Sequence, residues 1–273
     1  MESFAGRVAV VTGGGSGIGR ALAVALAREG ARVVVADVEE PALRAVVAEI
    51  EAEGGRALGV PTDVSDRRQV HALAARAADG FGGVDLLCNN AGVVLHGGLE
   101  AATHEDWQWV LGVNLWGVIH GIEAFVPGMI RRGEGGHVVN TASAAGLVAT
   151  RGLGVYNTSK YAVVGLSETL AKDLRPWNIG VTVLCPMGVA TRIRQAGRNR
   201  PAALGGGRPA TGEPVELMGG TLPPEQVADM TLAAVRANEL YVITHAEALE
   251  PVRRRFERLE RAIHRTRGAP TRP

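Results

Sequence analysis

Seven short, β-branched runs separated by longer alanine- and leucine-rich stretches limit this chain to a small set of folds. RVAVVT from Arg7, RVVVAD from Arg32, RALGVPTD from Arg56, VDLLCN from Val84, HVVNTAS from His137, IGVTVLCP from Ile179 and LYVIT from Leu240 read as strands. Helical patterns fill the intervals. Strands that alternate with helices pair in parallel and are covered on both sides. The expected fold class is therefore α/β, a doubly wound parallel seven-stranded sheet with helices on both faces. At 273 residues the chain can bury a substantial core, and a single domain spanning 1–273 is expected.

The strand–helix rhythm fails once. Residues 190–222 break into Arg, Gly and Pro, including RPAALGGGRPATGEP, too long and irregular for an ordinary connection. Such a segment reads as a lid or binding loop over a substrate. Its arginines, Arg192, Arg194, Arg198, Arg200 and Arg208, could attract an acidic substrate, but a solvated, mobile loop is the preferred reading. Beyond it, Val252, Phe256, Leu259 and Ile263 recur at helical spacing in an Arg/Glu-rich tail, 248–273, expected to dock on its own domain or on a sister subunit.

Charge balance narrows the partners. With 29 Lys+Arg against 28 Asp+Glu, no global field favours nucleic acid or anionic lipid, and a small molecule is the expected ligand. Cys88 and Cys185 stand alone in apolar runs without metal-site or redox spacing, so no metal is expected and both read as buried hydrophobes in a reducing compartment. The N-terminus lacks a basic segment followed by a long apolar one, and a cytoplasmic protein without a membrane partner is expected.

The first run ends in TGGGSGIGRALAVALA, a glycine-rich turn leading straight into a helix. Glycines let the backbone approach a pyrophosphate, and a helix N-terminus favours an anion through its N–H groups and dipole. A dinucleotide is expected there, on Gly13, Ser16, Gly17, Ile18 and Gly19. The spacing Gly13-x3-Gly17-x-Gly19 departs from G-x-G-x-x-G, and glycine after a strand also makes ordinary tight turns. Asp37 adds a second sign, because it closes the next strand 18 residues after Gly19. A carboxylate there binds the ribose hydroxyls of NAD and repels the extra phosphate of NADP.

VYNTSKYAVVGL, from Val155, puts Tyr156 and Lys160 four residues apart on one helical face. A phenol titrates near ~10 and is a poor base at neutral pH unless a nearby positive charge stabilises its phenolate. Lys160 can supply that charge. An amphipathic helix with Tyr156 at a water and Lys160 snorkelling to solvent would carry the same pattern.

Five matches in order, TGGGSGIG at Thr12, DV at Asp63, NNAG at Asn89, Asn114 within GVNLWG, and Ser143 followed by YNTSK, make the chain resemble the short-chain dehydrogenase/reductase family over Gly6 to about Thr244. The resemblance implies a Rossmann fold binding NAD across the C-terminal edge of its sheet. Asp63 and Val64 would lie near the adenine, with Asn90, Ala91 and Gly92 supporting the central strand beside the cofactor. Asn114, Ser143, Tyr156 and Lys160 would be catalytic, with Lys160 also on the nicotinamide ribose and Asn114 holding a proton-relaying water. Pro186, Val189 and Thr191 would approach the nicotinamide carboxamide. The run CPMGVAT departs from the family's Pro-Gly by placing Met187 where glycine is usual, so either the turn differs or Met187 walls the substrate cavity.

The expected function is NAD-dependent interconversion of a secondary alcohol and its ketone, with Tyr156 as general acid/base. The rivals are an NADPH-type 3-oxoacyl ketoreductase, disfavoured by Asp37, and a non-catalytic NAD-binding regulator, disfavoured by the complete Asn-Ser-Tyr-Lys set. Sugar-nucleotide epimerases and dehydratases share the Tyr-x3-Lys pair but carry a further domain. Leu95, His96 and Met187 are expected to border the substrate. The helices around DWQWVLGVNLWGVIHGIEAFV and YAVVGLSETLAKDL are apolar on more than one face, which predicts a homo-oligomer, by resemblance a homotetramer.

Overall fold

Each expected strand forms. In the computed structural model, which describes residues 1–207 and 219–267, the strands are β1 (Val8–Thr12), β2 (Arg32–Asp37), β3 (Arg56–Pro61), β4 (Leu86–Asn89), β5 (Gly136–Thr141), β6 (Ile179–Cys185) and β7 (Tyr241–Ile243). All pair in parallel in the order β3-β2-β1-β4-β5-β6-β7. Arg208 and the rest of 208–218, like the last six residues of the expected tail, lie outside the described residues.

The β-branched runs follow from two covered faces. Along β1, Ala9 and Val11 join one core with α1 (Gly17–Arg28), α2 (Glu40–Ala52) and α7 (Pro224–Ala237). Val8 and Val10 join the other, with α3 (Arg67–Phe81) and α5 (Gly117–Arg132). Side chains alternate across a strand, so burial on both faces requires apolar residues at every position. Local signals set the helix ends. Asp66 caps α3 by accepting from Arg68 N, and Thr103 and Asp106 form a reciprocal capping box on α4 (His104–Leu111).

The strand order reverses between β1 and β4, and a crevice opens there at the C-terminal ends of the strands. Helix α4 runs into α5 through a five-residue π-helical turn, Gly112–Trp116, which carries Asn114. This helix is apolar and long enough to span a bilayer by composition, yet half of its most apolar stretch is buried in the domain. Along α4, this turn and α5, Trp116 is the one large apolar side chain that is exposed, and several others, such as Trp107, Leu111 and Leu115, are half-buried. α6 (Gly154–Leu174) brings Tyr156 and Lys160 to the crevice.

The segment expected as a mobile, solvated lid is ion-paired over its described part. It forms two 3-10 turns, Ile193–Asn199 and Ala202–Leu204. Arg198 and Arg192 pair with Glu39, and Arg200, buried against the Trp109 ring, pairs with Asp106 at 2.6 Å. The tail forms α8 (Leu249–Arg267), whose first turn places Pro251 and Val252 on a cavity wall while Phe256 and Leu259 face outward.

Candidate active site

A groove of about 220 Å³ follows the β1–β4 crevice. Gly13 and Gly17 take positive φ, +63° and +53°, which a side chain would strain, and a Cβ on Gly13 would stand 2.8 Å from the Ala91 backbone. The loop thus lies close against NNAG. Ser16 occupies the N-cap of α1 without a capping hydrogen bond from its side chain, and the first amides of a helix have no intrahelical acceptor. Those donors suit a pyrophosphate.

Of the residues expected around the dinucleotide, Gly13, Ser16, Gly17, Ile18, Asp37, Asp63, Val64, Asn90, Ala91, Gly92, Tyr156, Lys160, Pro186 and Thr191 line this groove. Two do not. Gly19 is buried behind the loop, where any side chain would collide with the Gly13 carbonyl, so its part is close packing of α1. Val189 lies on the wall of the adjoining cavity. Asp37 Oδ2 accepts from Gly15 N at 2.8 Å and its Oδ1 from Glu39 N at 2.9 Å. The Asp63 carboxylate is engaged by the Ser65 amide and hydroxyl. Asn90 binds the Thr12 carbonyl through Nδ2 at 3.0 Å and accepts from Thr141 Oγ1 at 3.3 Å, tying the ends of β1, β4 and β5 together.

A second, more apolar cavity of about 280 Å³ adjoins the groove. Tyr156, Pro186, Thr191, Ile18 and Ile193 border both spaces, while Ser143, His96 and Met187 line only the second. Leu95 instead packs with Trp109 and Val155. Met187 does not take a positive φ, so the turn accepts methionine without strain, and Met187 N donates to Thr244 Oγ1.

Burial governs the titration of the central pair. Tyr156 is pushed up to about 12 by burial, against a smaller lowering by the Ser143 hydroxyl. Lys160 is pushed down to about 8 by burial. Its Nζ donates to Thr141 O at 2.9 Å and stands 5.6 Å from the Tyr156 ring centroid. Ser143 Oγ donates to Pro186 O at 3.3 Å and accepts from Ala145 N at 3.1 Å. Asn114 is fully buried and lines neither space; its Nδ2 donates to Val93 O and Ser159 Oγ, and its Oδ1 accepts from Val93 N at 2.8 Å. Both side-chain donors are committed, so Asn114 fixes the chain after NNAG to α6.

Several residues on or behind the walls were given no individual role by the sequence. Thr12 accepts the amides of Asn90 and Ala91, and Asn89 donates to Asn140, which donates to Ser167. Glu39, Trp109 and Asn199 line the groove, and Val148, Thr150 and Val252 the cavity. Polar residues at strand ends are common enough that only the paired geometry distinguishes these.

Comparison with known proteins agrees with this geometry. The family model described as short chain dehydrogenase matches residues 7–202. Among curated relatives, a C alpha-dehydrogenase of Sphingobium sp. is 37% identical over 267 residues, covering 94% of this chain and 86% of its own. The 1-deoxy-11-beta-hydroxypentalenate dehydrogenase of Streptomyces exfoliatus is 35% identical over 259 residues, covering 94% and 90%. A solved short chain dehydrogenase/reductase from Burkholderia phymatum, in complex with NAD, superposes with a TM-score of 0.89 at 43% identity, covering 100% of this chain and 99% of that one. The chain belongs to the short-chain dehydrogenase/reductase family and is an oxidoreductase of that family.

Proposed function

We propose that the protein is an NAD-dependent dehydrogenase that interconverts a secondary alcohol and its ketone. The observation that carries this reading is the place of Tyr156, buried on the border between a groove suited to a dinucleotide and a mainly apolar cavity suited to a substrate. The glycine cradle, the uncapped start of α1 and the Asp37 carboxylate fit NAD. When bound, NAD supplies the hydride acceptor, and NADH the donor, that no side chain can provide.

The protein's own groups move the proton. In alcohol oxidation Tyr156 takes the hydroxyl proton, and in ketone reduction it returns a proton to the carbonyl oxygen. Ser143 orients that oxygen by hydrogen bonding, and the Lys160 ammonium, held by Thr141 O, favours the phenolate. With its phenol raised to about 12, Tyr156 is an acid at neutral pH, ready for reduction. The test is a panel of secondary alcohols and ketones followed by nicotinamide absorbance with NAD and with NADP. NAD-linked turnover supports the reading, and absence of turnover across the panel refutes it.

A further inference from the structure

The arginines of the segment after β6 divide by partner. Arg192 and Arg198 share Glu39, and Arg200 is held by Asp106. Arg194 has no acidic partner among the described residues, and it alone of the four lines the apolar cavity that Tyr156 borders. Among the described residues no carboxylate lines that cavity.

His96 lies on the same wall. Its Nδ1 is buried without a hydrogen-bond partner, which is unusual for a buried polar atom. The field of Arg194 reaches it, adding to burial in holding the imidazole below its usual range. Arg194 and the neutral His96 ring thus line a space whose other walls are mainly apolar, Val94, Leu147, Val148, Met187 and Val252, and Nδ1 being buried, Nε2 is the ring nitrogen left for a ligand. A donor pair without its acceptor at an apolar wall is completed by an anionic group on the ligand, and Arg with a carboxylate is the favoured geometry for this. The cavity, about 280 Å³, is at the small end of ligand pockets, so the ligand is compact.

Building on the dehydrogenase reading above, we infer that the substrate is a compact secondary alcohol or ketone with an apolar body and a carboxylate, and that Arg194 and His96 bind this carboxylate. Arg194 is exposed, so substitutions there should leave the fold intact.

The experiment is a panel of cyclic and acyclic hydroxy acids, each matched with its methyl ester and assayed with NAD. Acids are expected to exceed their esters in kcat/KM by about 10- to 100-fold, the scale of hydrogen bonds to a charged group. Arg194→Met should collapse that ratio through KM, and Arg194→Lys should restore part of it. An ester preference in the unmutated protein, or an acid preference that survives Arg194→Met, overturns the inference. If neither acids nor esters turn over, the dehydrogenase reading falls, and calorimetric binding of the same acids to the NADH-mixed protein then decides the anion site alone. Binding lost in Arg194→Met upholds the site; absent or Arg194-independent binding overturns it.

Discussion

Asp37 Oδ2 accepts the Gly15 amide at 2.8 Å, so the carboxylate that closes β2 also shapes the loop that follows β1. A 2′-phosphate on the adenosine ribose would meet this carboxylate at close range, and a preference for NAD over NADP of about 10² or more in kcat/KM is expected. Arg192 and Arg198, the arginines lining the groove, are both engaged by Glu39. Asp37→Ser should shrink the ratio by relieving NADP, while loosening the loop enough to weaken NAD as well. Equal kcat/KM for both cofactors in the unmutated enzyme would refute the placement of Asp37 at the ribose.

Tyr156→Phe should fold normally and bind NAD nearly as before, yet lose turnover by about 10²- to 10⁴-fold, the usual contribution of a general acid or base. Lys160→Met should differ by also weakening NAD, because the Lys160 Nζ lies beside Gly92 on the groove wall. Calorimetric titration with NAD separates the two variants; an unweakened Lys160→Met would remove the ribose contact from the account.

The phenol raised to about 12 sets the sign of the pH dependence. Alcohol oxidation needs the phenolate, so its rate should rise with pH, about tenfold per unit below the inflection. Lys160, pushed down to about 8, carries its charge only below that pH, so the Lys160→Met rate should fall further beneath the parent's at pH 7 than at pH 9.5. Superimposable profiles for the two proteins would show that the lysine does not tune the tyrosine.

His137 gives a separate handle on stability. Its Nε2 lies 2.8 Å from Thr182 Oγ1, and Thr182 spends its single hydroxyl proton on Glu239 O, so Nε2 carries the hydrogen of the neutral ring. Burial lowers this imidazole to about 3, below its unfolded value. The stabilising contribution is therefore complete above about 6.5 and is lost as pH falls toward 3, at up to ~1.4 kcal/mol per unit. His137→Gln keeps a donor to Thr182 without titrating, and urea unfolding should show its acid limb flatter than the parent's. Parallel limbs would contradict the burial argument.

Trp116 on the α4–α5 helix and Phe256 and Leu259 on α8 remain exposed apolar groups. Self-association, as a homotetramer, is expected to cover such surface. Light scattering at micromolar concentration checks it, and a monomer would count against it.

The strands were legible because a parallel sheet buried on both faces writes itself as unbroken β-branched runs, as in β1 and β2. Tyr156 and Lys160 were legible because helical spacing fixes a shared face. What a motif does not encode is which wall a side chain meets: Gly19 packs behind the loop, Val189 faces the cavity, and Asn114 faces neither space. Nor does charge reveal pairing. Arg198 and Glu39 are 159 residues apart and Arg200 and Asp106 are 94 apart, so a segment that looked solvated in sequence is ion-paired in the fold.

The Thr12 hydroxyl receives the amides of Asn90 and Ala91 from 78 and 79 residues away. No local stretch of chain holds half the dinucleotide groove, because its walls meet only when β1 and β4 close that long loop. Such non-local pairing is slow, and a site built from it is a late product of folding. NAD should therefore leave the refolding rate of the denatured chain nearly unchanged while slowing unfolding, so that the cofactor lengthens the life of the folded protein without helping to make it.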